Sequence, residues 1–133
     1  MENCIFCQIV AGKSPCYKVY EDNLFIGFLD IYPHVEGHTL LIPKKHYRWV
    51  YDYPEFGRYW QTTLVVTRAI QKALSPAFIT YLTIGVDVAH AHIHILPRFG
   101  EFEVYPAVKN ISKEKMEEIA NKIYKEVKKY DQV

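Results

Sequence analysis

The chain has 133 residues, half of them hydrophobic and 15% aromatic, with 16 basic side chains against 15 acidic ones. A domain of this length buries roughly two thirds of its unfolded surface, so a full hydrophobic core is within reach. A formal charge of +1 argues against a broad phosphate-neutralising face for nucleic acid, and no apolar run approaches the ~20 residues that span a bilayer.

The opening, MENCIFCQIVAGKSP, has an acid in second place and no long apolar stretch, so it does not read as a secretory leader. Three cysteines, an odd number, do not suggest a disulfide framework and favour a reducing, cytoplasmic setting. Residues 17–21 and 24–30 are apolar and aromatic, with acid and Asn between them, and predict two strands joined by a tight turn. Pro33 and Gly37 mark residues 31–37 as a loop, and residues 38–43 as a buried-type strand that Pro43 ends. Residues 54–74 have helical period through Phe56, Trp60, Leu64, Thr67, Ile70 and Leu74, with Pro54 suited to the first turn. Residues 77–85 and 88–97 predict strands four and five. Residues 112–130 predict a terminal helix with Ser112 as N-cap and Met116, Ile119, Ile123 and Val127 as its core stripe. No repeat or linker interrupts this order. The expectation is a single α+β domain with a five-stranded, mainly antiparallel meander sheet and two helices.

His90, His92 and His94 alternate with Ala91 and Ile93. With six histidines in the chain, such a run arises by chance about 0.01 times per sequence of this length. Alternate strand residues share a face at about 6.6–7 Å, which leaves Ala91, Ile93 and Ile95 for the core. Three readings compete. A satisfied polar stripe is the plain one. A metal row is the second, but the outer rings of a straight strand stand about 13 Å apart, too far for one ion. The third is nucleophilic attack on phosphorus by a neutral imidazole, with neighbouring rings donating to the phosphoryl oxygens. The last fits best, since the central ring has a donor on either side.

The run His90-Ala-His92-Ile-His94-Ile-Leu, followed by Pro97-Arg98, resembles the signature of the histidine triad (HIT) family. Further segments are similar in order and spacing: Cys4-Ile-Phe-Cys7 with Gln-Ile-Val-Ala-Gly after it, Tyr20-Glu-Asp, Phe28-Leu-Asp30-Ile, Gly37-His38-Thr39-Leu and Ile42-Pro43-Lys44-Lys45-His46. The resemblance is to the nucleotide-binding branch with an N-terminal C-x-x-C, and it implies one HIT domain over residues 1–133. It implies that His92 takes up the nucleotidyl group, that His94 contacts the α-phosphate, and that His90 supports His92 through its backbone carbonyl. Asp30 would hold the ribose hydroxyls, and Phe6, Phe28, Leu29 and Ile31 would line the base pocket, with core packing as the alternative for these four. A structural zinc would be bound by Cys4, Cys7, His46 and His90, a closed Cys₂His₂ set. Cys16 reads as a small apolar filler.

The implied activity is hydrolysis or transfer at the α-phosphorus of a nucleotide, a phosphoramidate or a dinucleoside polyphosphate, through a covalent nucleotidyl-histidine. The alternatives are a non-catalytic nucleotide-binding protein and a zinc-stabilised interaction module. Family members usually form homodimers, with Trp60, Tyr59 and Val66 as candidates for the contact; neither nucleic acid nor membrane is an expected partner. One departure stands out. Relatives carry a longer Gly-rich loop with Asn, Gln and Ser or Thr before the triad, whereas this chain has only Val86-Asp87-Val88-Ala89. Asp87 stands where a hydroxyl donor is expected, and Arg98, Lys44 or Lys45 could offset its charge, though nothing in the sequence places them there.

Overall fold

The computed structural model describes residues 3–100 and 103–130, the Tyr130 side chain excepted. In chain order it contains α1 (Ile5–Val10), β1 (Lys18–Glu21), β2 (Phe25–Leu29), β3 (Thr39–Pro43), a 3₁₀ turn (Val50–Asp52), α2 (Phe56–Leu74), β4 (Phe78–Leu82), β5 (Ile93–Arg98) and α3 (Lys113–Tyr130). The strands form one antiparallel sheet in the order β1-β2-β3-β5-β4. The expected α+β architecture with a five-stranded sheet is what the chain adopts. The short α1 is additional to the two helices read from periodicity.

Local chemistry explains the turns. Asp22 Oδ1 accepts from the amides of Leu24 and Phe25, both at 2.7 Å, and the Asp22 amide donates back to the Phe25 carbonyl. That folds β1 onto β2 without a glycine. Gly37 has φ +84, and a Cβ there would lie 2.4 Å from Leu74 Cδ1, so the loop before β3 needs a residue with no side chain. Ser112 Oγ accepts from the Lys115 amide at 3.1 Å, the cap expected for α3.

The sheet separates two apolar clusters. The larger lies against α2 and α3 and takes in Phe25, Leu29, Leu41, Tyr59, Ile70, Ile93, Ile119 and Ile123, all essentially without exposure. The smaller lies under α1 and joins Phe6 to Ile26, Phe28, Leu40 and Ile42, with Cys16 packed against it as expected for a filler. Three expectations are corrected here. Of the periodic positions of α2, Thr67 and Ile70 are buried and Trp60 and Leu74 pack against the core, but Phe56 and Leu64 are exposed, and the rest of the buried face runs through Tyr59, Thr62, Thr63, Val66 and Ala69. The threonines hide that face from a hydropathy reading, because each buried hydroxyl donates to the carbonyl four residues back. Tyr59 and Val66 are therefore core residues rather than dimer-contact candidates; the Tyr59 hydroxyl donates to the Leu41 carbonyl at 2.6 Å. Finally, β4 and β5 are shorter than expected, so His90 and His92 precede β5 and only His94 is in it.

Candidate active site

The three histidines leave the chain in an extended segment that runs into β5, tied down where the Ala91 amide donates to the Tyr47 carbonyl at 2.7 Å. Ala91, Ile93 and Ile95 are buried, as alternation requires. The rings do not form an even row. His90 turns toward α1, His94 turns toward His38 on the residue before β3, and His92 lies between. The edge of Phe6 holds His90 and His92 at centroid distances of 5.9 and 5.2 Å.

Fixed backbone partners assign the tautomers. The Pro43 carbonyl can only accept, so His90 Nε2 carries the proton in their 2.8 Å bond and Nδ1 is bare. His92 Nδ1–H donates to the His90 carbonyl at 2.8 Å, which leaves Nε2 as the lone-pair nitrogen. The His34 amide donates to His38 Nδ1 at 3.0 Å, so His38 Nε2–H donates to His94 Nδ1 at 2.9 Å, and His94 presents Nε2–H. Every buried side-chain nitrogen among the described residues has a partner. His92 Nε2 bonds to none of the described residues, so it is not among the fully buried nitrogens although the residue is only 3% exposed.

Burial keeps the supporting rings neutral. It lowers His38 to about 3 and His90 and His94 to about 4, with neighbouring histidines adding to each shift. Asp30 lies beside them, its Oδ2 3.5 Å from His38 Nε2 and its Oδ1 accepting the Tyr32 amide at 2.9 Å. Burial raises its carboxyl above the usual range, and the Tyr32 amide offsets part of that.

Cys4, Cys7, His46 and His90 form a second cluster, sharing His90 with the first. Cys4 N-caps α1, its Sγ accepting the Cys7 amide. His90 Nδ1 is 3.4 Å from Cys4 Sγ and 3.5 Å from Cys7 Sγ, and His46 Nδ1 is 3.2 Å from Cys7 Sγ. Zinc bonds of about 2.3 Å to sulfur and 2.0 Å to nitrogen give tetrahedral edges of roughly 3.3–3.8 Å, so the four donors fit that ion. The bare Nδ1 of His90, fixed by its bond to Pro43, is the donor such a site needs.

Of the residues expected at the base pocket, Phe6 adjoins His90 and His92, Phe28 packs against Phe6 at 5.4 Å, and Ile31 is exposed next to Asp30. Leu29 does not belong there. It alternates with Phe28 and so points through the sheet into the α2–α3 core. The three cations expected to offset Asp87 are elsewhere: Arg98 is buried against Thr80 and the Val104 and Glu103 carbonyls, Lys44 pairs with Glu21, and Lys45 lies over Tyr47. Two residues carry more than the sequence suggested. His38 fixes His94, and Tyr105 stacks on His34 at 3.9 Å and stands 6.4 Å from both His38 and His94. His38 had a signal, its place beside a buried-type strand; Tyr105 had none.

The HIT domain family model matches residues 11–101. The chain is 40% identical to the Protein hit of Bacillus subtilis over 80% of its length and 79% of the relative's. It is 33% identical to the adenosine 5'-monophosphoramidase of Schizosaccharomyces pombe, covering 91% and 98%, and 36% identical to the adenylylsulfatase of Arabidopsis thaliana, covering 72% and 52%. Among solved structures it superposes on a hypothetical histidine triad nucleotide-binding protein from Sulfolobus tokodaii with TM-score 0.85 and 29% identity, covering 96% and 94%. A Zn-bound histidine triad family protein from Mycobacterium smegmatis gives TM-score 0.82 and 29% identity, covering 98% and 97%. The chain belongs to the HIT family. Proteins named as nucleotide hydrolases are among its relatives, and one relative holds zinc.

Proposed function

We propose that this chain acts as one HIT domain and hydrolyses or transfers at the α-phosphorus of a nucleotide, with His92 as nucleophile. The observation that carries this reading is the unbonded Nε2 of His92, backed by the 2.8 Å bond from its Nδ1–H to the His90 carbonyl. That bond holds the lone pair outward and stabilises the charge the ring gains when Nε2 bonds to phosphorus. His94 Nε2–H donates to a phosphoryl oxygen or to the departing atom. Asp30 accepts from the ribose hydroxyls, and Phe6 and Phe28 with Ile31 supply apolar surface for the base. The leaving group departs with the electrons of its bond to phosphorus. Water then breaks the phosphorus–nitrogen bond, releasing a nucleoside monophosphate and restoring His92.

Cys4, Cys7, His46 and His90 would hold zinc, which supplies a structural crosslink between α1 and the histidine segment. A homodimer would use the exposed apolar face of α2, where Trp60 packs on Tyr81 of edge strand β4 at 5.5 Å beside exposed Phe56 and Leu64. No helix among the described residues is long and apolar enough to cross a membrane, and the reading is of a cytoplasmic enzyme.

The test is covalent trapping. Rapid quenching with radiolabelled adenosine 5'-phosphoramidate should leave adenylyl label on the wild-type protein, acid-labile as a phosphorus–nitrogen bond is. His92→Ala should take no label and lose at least about a thousandfold in kcat. Equal turnover by the variant overturns the reading. Tight nucleotide binding by wild type without turnover points instead to a binding protein.

A further inference from the structure

Residues 103–111 lead toward α3 without regular structure, yet the chain is pinned on both sides of one tyrosine. Before it, Arg98, only 2% exposed, turns its guanidinium onto the Val104 carbonyl at 3.3 Å and onto the Glu103 carbonyl. After it, the Pro106 carbonyl accepts from His34 Nδ1–H, and the Lys109 amide donates to the Pro33 carbonyl at 2.7 Å. What these bonds fix in place is Tyr105, stacked on His34 at 3.9 Å and set edge to face against His38 and His94 at 6.4 Å. Phe6 thus borders the histidine row at the His90 and His92 end, and Tyr105 borders it at the His94 and His38 end. The Tyr105 ring is 37% exposed, and among the described residues nothing bonds to its hydroxyl. Partial burial raises the phenol above its ordinary range, so the group keeps its proton and can donate.

The histidines themselves aim a single N–H outward. His90 gives its proton to the Pro43 carbonyl, His92 to the His90 carbonyl and His38 to His94, which leaves His94 Nε2–H alone. A phosphoryl group under attack by His92 has two non-bridging oxygens and a departing atom among which negative charge is spread, and one donor cannot serve all three. Arg98, Lys44 and Lys45 are held elsewhere. We propose that Tyr105 is a catalytic residue of the α-phosphorus reaction: its hydroxyl donates to one non-bridging oxygen while His94 serves the departing atom. The proposal rests on the α-phosphorus reading above. The phenol transfers no proton. It bonds to the oxygen as His92 Nε2 bonds to phosphorus, stays bonded as the leaving group departs with its electron pair, and is released when water frees the nucleoside monophosphate. A donor at this position is worth most where it is already in place before the charge develops, and that is what the bonds from Arg98 and His34 secure.

The experiment compares wild type with Tyr105→Phe, which keeps the ring and its stack on His34 and removes only an unbonded hydroxyl, so the variant should fold with the wild-type Tm. The probes are adenosine 5'-phosphoramidate and its two phosphorothioate diastereomers, in which sulfur replaces one or the other non-bridging oxygen. With the all-oxygen compound, Tyr105→Phe should lose about tenfold or more in kcat/KM, most of it in kcat. Sulfur is a weak acceptor, so for the diastereomer that carries it at the oxygen facing Tyr105 the variant and wild type should differ by less than about twofold. The other diastereomer should show the full loss. Unchanged kcat/KM in Tyr105→Phe, with His92 still labelled, overturns the proposal and leaves the α-phosphorus reading standing. An equal loss with all three compounds also overturns it, because the hydroxyl would then act on the ribose or on the fold. No turnover and no label in wild type sinks both.

Discussion

The two faces of the sheet are built by different rules. Against α2 and α3 the interior is large and apolar, and its few polar groups bond to the backbone: threonines to carbonyls four residues back in α2, and Tyr59 to the Leu41 carbonyl of β3. Against α1 the apolar cluster is small, and much of what fills that face is imidazole and thiol. Two bonds there join partners distant in sequence, His38 with His94 and His90 with Pro43, while His92 bonds locally to the His90 carbonyl. One face is therefore stabilised by area removed from water, the other by donors and acceptors in fixed protonation states. Stability and chemistry are separated by the thickness of a sheet.

Acid breaks the comparison most strongly. His38 and His94 titrate at about 3 and about 4 in the folded chain but near 6.5 when unfolded. Between those values the unfolded state binds protons that the folded state does not. The stability is therefore intact above pH 6.5 and is lost as pH falls below it. Two such groups predict a loss of about 4 kcal/mol between pH 6.5 and 4.5. The raised Asp30 pulls the other way, favouring the fold at low pH. Glu21, held near 2 first by Lys18 and then by Lys44, adds nothing until lower pH. Denaturant midpoints at pH 7.5, 5.5 and 4.5 measure the slope, and His94→Asn should flatten it. A flat profile in wild type would show that these rings are not buried neutral. The matching break on the other face is Ile70→Ala, which should cost about 3 kcal/mol at every pH while leaving His92 labelling per folded molecule unchanged.

The same division decides what the sequence could show. Strands β2 and β3 were legible as short apolar runs bounded by turn residues, and helix α3 because its apolar residues recur with helical period. The face of α2 was read only in part: Thr67 and Ile70 were among the periodic positions, but Thr62 and Thr63, scored as polar, are buried because each bonds within its own helix. Helix α1 was missed because six residues hold less than two turns of pattern. At the site, His90, His92, His94 and the cysteine pair stand out by type and spacing alone. Leu29 could not be separated from Phe28 without knowing which face of β2 each took. His38 and Tyr105 act through contacts made across 56 and 11 residues from His94, and no local pattern encodes a contact.

The smallest of these effects separates the faces most finely. If Cys4, Cys7, His46 and His90 hold zinc, binding to the folded state alone adds RT ln(1 + [Zn]/Kd), about 2.7 kcal/mol at a hundredfold excess of free ion over Kd. A chelator should remove that increment, and Cys7→Ser should lack it from the start. The place where protection is lost matters more than the total. The amides of Gln8 and Ala11 bond to the carbonyls of Cys4 and Cys7, so they open when the thiols are released. The amides of β4 and β5 belong to the sheet. Hydrogen exchange after chelation should therefore speed up in α1 and leave β4 and β5 unchanged. Uniform acceleration would mean that the four donors hold the whole domain together, and no change in α1 would mean that they bind no ion.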